Sequence, residues 1–116
     1  QDLIKTINEF GGKIKETYGV PISEIQEGIK NGVRKINIDT DLRLASTAAI
    51  RKHFHNDPSQ FDPRKYLLDS KDGMKVIVKQ RLEEFGTAGN ASKIKPKSLS
   101  VMSQLYSDDK LSQKIY

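Results

Sequence analysis

No cysteine occurs among the 116 residues. Disulfides and thiol chemistry are thereby excluded from this stretch, and the composition is compatible with a cytoplasmic setting, where disulfides are rare. No apolar run approaches the ~20 residues of a membrane-spanning helix, and no signal-peptide pattern is visible, so no membrane partner is expected. Aromatic residues are scarce at 7%, and nothing resembles a nucleic-acid motif. His53 and His55 are the two histidines. Two positions apart on a helix, they point to different sides, and the i, i+4 spacing that puts two histidines on one metal-binding face is absent. Both are expected at the surface near a helix end, where the dipole favours a cation. No internal repeat is evident.

What is present starts with Gly32-Val33-Arg34-Lys35-Ile36-Asn37-Ile38-Asp39-Thr40-Asp41. This stretch reads as a short β-strand: Ile36 and Ile38 share one face, and Lys35, Asn37 and Asp39 the other. A strand of an α/β protein normally buries both faces. An amide and a carboxylate on a buried face are costly unless they meet a ligand or each other. Residues 21–31 read as a helix, with Ile22, Ile25 and Ile29 at 3.6-residue spacing, Ser23 and Gln26 at capping-box spacing, and Gly32 as the stop. Residues 42–55 read as another, with Leu42, Ala45, Ala49 and Phe54 near one face and Thr40 or Asp41 as N-cap. In open α/β sheets and (β/α)8 barrels, ligands bind where strands end. The free N–H groups of the following helix make a phosphate seat. Asp39 and Thr40 therefore point to a small phosphorylated ligand, or else to an Asp/Thr helix cap and an ordinary turn.

Farther along, Asp62 and Pro63 open a helix as N-cap and first-turn residue. Leu67, Met74, Ile77, Val78, Leu82 and Phe85 mark its apolar face, read as core packing, and Gly86 its stop. Gly11-Gly12 ends a short amphipathic start carrying Leu3, Ile4 and Ile7. Residues 86–96, rich in small residues and then lysine, read as an extended arm, and 98–106 as a last helix with Leu99, Met102, Leu105 and Tyr106 apolar. Residues 107–116 are polar enough to fray.

The stretch 32–41, with Phe61-Asp62-Pro63-Arg64-Lys65-Tyr66-Leu67 after it, resembles the C-terminal part of class II fructose-1,6-bisphosphate aldolases. The block Phe85-Gly86-Thr87-Ala88-Gly89-Asn90-Ala91-Ser92-Lys93-Ile94-Lys95-Pro96 is similar to the tail of the subgroup common in bacteria. So is Tyr18-Gly19-Val20-Pro21 followed by Glu24-Ile25-Gln26. The resemblance runs in order over essentially the whole chain. It implies a zinc-dependent (β/α)8 barrel that reversibly cleaves fructose 1,6-bisphosphate to dihydroxyacetone phosphate and glyceraldehyde 3-phosphate, as in glycolysis and gluconeogenesis. In that family the metal acts as a Lewis acid on the ketone oxygen. Carried over by position, Asn37 binds the substrate near its reacting carbons, Asp39 and Thr40 meet the phosphate largely through backbone N–H groups, and Ile38 contributes backbone. Arg64 corresponds to the arginine that recognises the distal phosphate, often in a neighbouring subunit's site, a task that suits the guanidinium fork.

By the same resemblance the zinc-binding histidines and the acidic catalytic residue lie upstream, so neither a catalytic residue nor a metal ligand is expected in this segment. A monovalent cation is a possible aid at the phosphate site. A first residue of Gln agrees with an internal start, and 116 residues fall short of the ~250 of such a barrel. The expected fold is α/β: the C-terminal part of a TIM barrel with extra C-terminal helices, mostly helical with one or two strands. Residues 1–86 would hold the last barrel strand and flanking helices, and 87–116 an arm and helix for subunit contacts. Alone, the segment is expected to be inactive; its partners would be the rest of the aldolase chain and further copies in a homodimer or homotetramer.

The net charge of +5 is uneven: residues 42–81, which include Arg64, hold 9 basic and 4 acidic side chains. A solvated helix surface that helps steer anionic sugar phosphates explains this patch. Two alternative functions remain, a non-catalytic sugar-phosphate-binding module and a basic nucleic-acid-binding domain.

Overall fold

The computed structural model describes residues 2–17 and 19–109, so Tyr18 of the quoted motif and 110–116 of the tail lie outside the described residues. Its helices are α1 (Asp2–Glu9), α2 (Ile22–Lys30), α3 (Thr40–Asn56), α4 (Pro63–Glu84) and α5 (Leu99–Ser107), with a 3-10 turn at Ala91–Lys93. No strand forms among the described residues, which corrects the expectation of one or two. A strand needs neighbouring backbone to bond to, and residues 34–38 find none among the described residues. Their alternation survives without it: Ile36 and Ile38 are half-buried, whereas Lys35, Asn37 and Asp39 are exposed.

The centre of the molecule is the antiparallel pair α3–α4, joined by residues 57–62. Small side chains let the two helices approach closely. Ala45, Ala48 and Ser70 are buried, and Ser46 Oγ lies 2.7 Å from Ser70 Oγ. A Cβ at Gly73 would stand 3.3 Å from the Ala45 carbonyl oxygen and 3.3 Å from Ala49 Cβ, so glycine there lets the backbones meet. Asp62 caps α4 as expected, accepting from the Arg64 N–H at 2.9 Å with Pro63 at the first position. Gly86 ends α4 at φ +70°, with the Gly86 N–H on Glu83 O and the Thr87 N–H on Leu82 O, the two bonds of a Schellman stop.

Three local expectations are revised. Pro21, not Ser23, holds the cap position of α2; its fixed φ of −57° is already helical, and Gln26 is left to donate to Glu84 O at 2.9 Å. Asp39, one residue before the expected caps, holds that position for α3. The first part of the arm, 86–93, turns rather than extends, because the Asn90 amide donates back to Gly86 O at 2.9 Å, while Ile94 is extended.

Helix α1 lies on α3 through Ile7, which is fully buried. The chain leaves α1 at Gly11-Gly12 as expected. A Cβ on Gly12 would fall 2.6 Å from the Ile7 carbonyl oxygen, so only glycine fits.

Beyond the hairpin the packing is open. Ile7, Ala45 and Ala48 are the buried apolar side chains among the described residues, while Leu67, Val78 and Leu82 stay exposed. The accessible surface of 9768 Å² compares with about 6,400 Å² for a compact protein of this mass. The radius of gyration of 19.8 Å compares with about 13 Å for a compact domain of this length. Expressed alone, the 116 residues should therefore melt broadly and bind a hydrophobic dye such as ANS. A sharp melt with equal calorimetric and van't Hoff enthalpies would show instead that the segment builds its own core.

Candidate functional site

The polar residues singled out at 37–40 sit where the loop after α2 enters α3. Asn37, Asp39 and Thr40 are exposed and Ile38 is half-buried, so the burial cost expected for the amide and carboxylate is not incurred here. Asp39 holds the N-cap position, yet its carboxylate makes no cap hydrogen bond. It accepts instead from Arg43 Nε at 2.9 Å. That pair leaves the first N–H groups of α3 uncapped by Asp39 at the positive end of the helix dipole. It also offsets the Asp39 charge, which would otherwise repel an anion arriving there.

Beneath this turn runs an apolar groove of about 600 Å³, between α2, the following loop and the facing ends of α3 and α4. Ile29, Ile36, Ile38, Leu42, Ile77 and Phe85 are among its lining residues; Asn37, Asp39 and Thr40 are not. At its rim Arg81 donates to Asp41 from Nη2 at 2.7 Å and Nε at 3.1 Å, and also pairs with Glu84. The Asp41 bond raises the Arg81 guanidinium further. Hydrogen bonds from Gln80 and then Arg81 hold the Glu84 carboxyl below the usual carboxylate range. Asp41 and Arg81 are 40 residues apart and left no local signal in the sequence.

Arg64 lies at the other end of the hairpin, in the first turn of α4. Its side chain is 88% exposed, and Asp62, 20% exposed, holds it through Nε and Nη2. Arg64 in turn keeps the Asp62 carboxyl below its ordinary range. Phe61 beside it is 88% exposed. Because α3 and α4 run antiparallel, Arg64 stands level with the last turn of α3. Over the 17 residues of α3 it is displaced from Thr40 by about 24 Å at 1.5 Å per residue. The structure thus brings Asn37, Ile38, Asp39 and Thr40 together and keeps Arg64 away from them. That span far exceeds a six-carbon bisphosphate.

His53 departs from its surface assignment: the side chain is 15% exposed. Its Nδ1 lies 2.7 Å from Asp69 Oδ2, and the ring meets Tyr66 edge-on. It turns toward α4 because the small residues nearby bring the helices together. His55 packs on Phe10 with ring centroids 4.9 Å apart. Among the described residues no group of three or more His, Cys, Asp and Glu side chains is arranged to hold a metal ion. No helix among them is long and apolar enough to cross a membrane.

A family model described as fructose-bisphosphate aldolase class-II matches residues 14–90, a span that contains every residue of both ends of the hairpin. The chain belongs to the class II fructose-bisphosphate aldolase family. A fructose-bisphosphate aldolase of Pseudomonas aeruginosa is 61% identical over 115 residues, covering 99% of this chain and 32% of its own length. One from a Nostoc species is 55% identical over 111 residues (96% of this chain, 31% of its own). One from Xanthobacter flavus is 49% identical over 116 residues (100% and 33%). The chain thus spans about a third of the length of the curated relatives it matches.

The Arg81 cluster ties the start of α3 to the end of α4. In a full-length aldolase carrying this segment, Arg81→Met should lower stability by about 1–2 kcal/mol, since it strips partly buried carboxylates of their donor. Glu84 titrates lower folded than unfolded, so its contribution is present above the ordinary carboxylate pKa and is lost as pH falls through the depressed one. The stability gap between wild type and variant should therefore narrow below about pH 4. Urea titrations at several pH values would measure it, and a gap that widens in acid would refute the assignment.

Proposed function

We propose that this chain is the part of a class II fructose-bisphosphate aldolase that supplies substrate and phosphate contacts. The enzyme would catalyse reversible cleavage of fructose 1,6-bisphosphate to dihydroxyacetone phosphate and glyceraldehyde 3-phosphate. The family match over 14–90 carries this reading, because it includes Asn37, Ile38, Asp39, Thr40 and Arg64 together. In the proposed site the N–H groups at Asp39 and Thr40 and the α3 dipole hold the phosphate of dihydroxyacetone phosphate. The Asn37 amide beside them orients the reacting carbons, and Ile38 contributes backbone. Arg64 binds the distal phosphate of a substrate molecule held by a second copy, a reading supported by its distance from Asn37 on its own chain. A homodimer or homotetramer follows from that sharing.

Residues 33–39 would complete their hydrogen bonds as the last strand of a (β/α)8 barrel. The half-buried Ile36 and Ile38 support that role, as does the unpaired backbone of 34–38 among the described residues. On this reading residues 1–86 carry the strand and its flanking helices, and 87–116 the arm and last helix. The family is generally zinc-dependent. On this proposal the zinc ligands lie outside this segment, and any monovalent cation would be an auxiliary of the phosphate site. A cytoplasmic location is part of the same proposal. An independent sugar-phosphate-binding module is disfavoured by the open packing.

In the full-length enzyme, Arg64→Ala should lower kcat/KM for fructose 1,6-bisphosphate by about a hundredfold, with the dissociation constant of dihydroxyacetone phosphate little changed. Equal losses for both ligands would remove Arg64 from the distal site. Asn37→Ala should depress kcat itself, and a normal turnover number in that variant would end its assigned role. Replacing both His53 and His55 with Gln should leave zinc content unchanged by elemental analysis; loss of the metal would move a ligand into this segment.

A further inference from the structure

Between α3 and α4, residues 57–62 form a chain of side-chain hydrogen bonds that ends on Arg64. Asp57 accepts from Ser59 Oγ at 2.7 Å and from Gln60 Nε2 at 3.3 Å. Gln60 Oε1 accepts from the Asp62 N–H at 3.1 Å. The Asp62 carboxylate then does two things. It accepts the Arg64 backbone N–H at 2.9 Å, capping α4. It also accepts from the Arg64 side chain, through Nε to Oδ1 at 3.0 Å and Nη2 to Oδ2 at 2.7 Å.

The geometry of that second contact decides its meaning. A guanidinium offers five N–H donors. Asp62 occupies the Nε–Nη2 edge, leaving the Nη1–Nη2 edge, whose two parallel N–H groups form the fork that matches a phosphate. The Asp62 side chain is half-buried and the guanidinium exposed, so the freer group is hinged to a less exposed one. An exposed arginine otherwise spreads over many rotamers and loses that freedom on binding. Helix capping accounts for the contact with the backbone N–H, but exposed ion pairs add little to folding, so stability is a poor account of the side-chain grip.

We infer that Asp62 is a positioning residue: through its side-on grip it presents the free edge of Arg64 to the phosphate of a second copy's substrate. The inference rests on the distal-phosphate role proposed for Arg64. Asp62 does not touch the substrate, and its carboxylate and the phosphate use different edges of one cation.

The test uses the full-length aldolase with Asp62→Asn, Asp62→Ser, Arg64→Ala and the double variants. Asn and Ser are both good N-caps, so α4 is kept and thermal unfolding verifies it. Each Asp62 variant should lower kcat/KM for fructose 1,6-bisphosphate by about tenfold and leave the dissociation constant of dihydroxyacetone phosphate within about twofold. Once Arg64 is alanine, changing Asp62 should cost nothing further, because a residue that acts through Arg64 has nothing left to position. Equal losses with and without Arg64 would make Asp62 only a cap and overturn the inference. Unchanged or improved kcat/KM in the Asp62 variants would do the same, the improvement showing that Asp62 competes with phosphate. If Arg64→Ala alone fails to discriminate between the two ligands, the Arg64 reading fails first and takes the inference with it.

Discussion

The close approach of α3 and α4 is the contact on which everything else in this chain depends. Gly73 against Ala45 and Ala49, with the Ser46–Ser70 hydroxyl pair beside them, lets two helices meet almost backbone to backbone. Such a seam has little side-chain volume to adjust, so it sets one register. That register puts Arg81 opposite Asp41 at one end and turns His53 onto Asp69 farther along. It also places the 57–62 loop beyond the last turn of α3, with Arg64 level with that turn. A side chain at 73 would press on the Ala45 carbonyl and Ala49 Cβ at 3.3 Å, so the seam would have to give by a few tenths of an ångström.

A hairpin held so closely works as a spacer. Its two ends are separated by about 24 Å on the helical rise, and no side chain of one reaches the other. One end offers exposed polar groups at a helix N-terminus, the other an exposed arginine beside an exposed phenylalanine. Under the proposed function these ends serve two different substrate molecules, which makes assembly a requirement of the chemistry rather than an addition to it. The large accessible surface supports that proposal, since the apolar groove and exposed Leu67, Val78 and Leu82 would be covered by further protein.

Much of the helical layout was legible in the sequence, because its signals are local. Asp62-Pro63 opened α4 and Gly86 closed it, and Gly11-Gly12 ended α1, each through backbone geometry that few other residues supply. What could not be read depends on partners distant in the chain. The Asp41–Arg81 tie spans 40 residues, and the inward turn of His53 follows from packing on α4. The stretch 32–41, expected as a strand, has the alternation but no neighbours among the described residues, and alternation alone does not make a ladder. The Asp62 grip on Arg64 lies between these cases: the two-residue spacing was visible, but it read as a cap, and the second use of the same carboxylate appeared only in three dimensions.

The beginnings of α3 and α4 reveal a division of labour when set side by side. Each has an aspartate at the cap position and an arginine just inside the helix, four residues on in α3 and two in α4. Asp62 reaches both its arginine and the helix N–H, so under the proposed function the group that α4 offers an anion is the guanidinium rather than that N–H. Asp39 is taken by Arg43 and caps nothing, so the backbone N–H groups of α3 remain as the donors. Exchanging these arrangements would spoil both ends. A capped α3 would have no N–H groups to offer, and an Arg64 without its aspartate would have charge but no fixed direction. Under the proposed function the same two residue types, shifted by two positions, would yield a backbone phosphate seat at one end of the rod and a side-chain phosphate fork at the other.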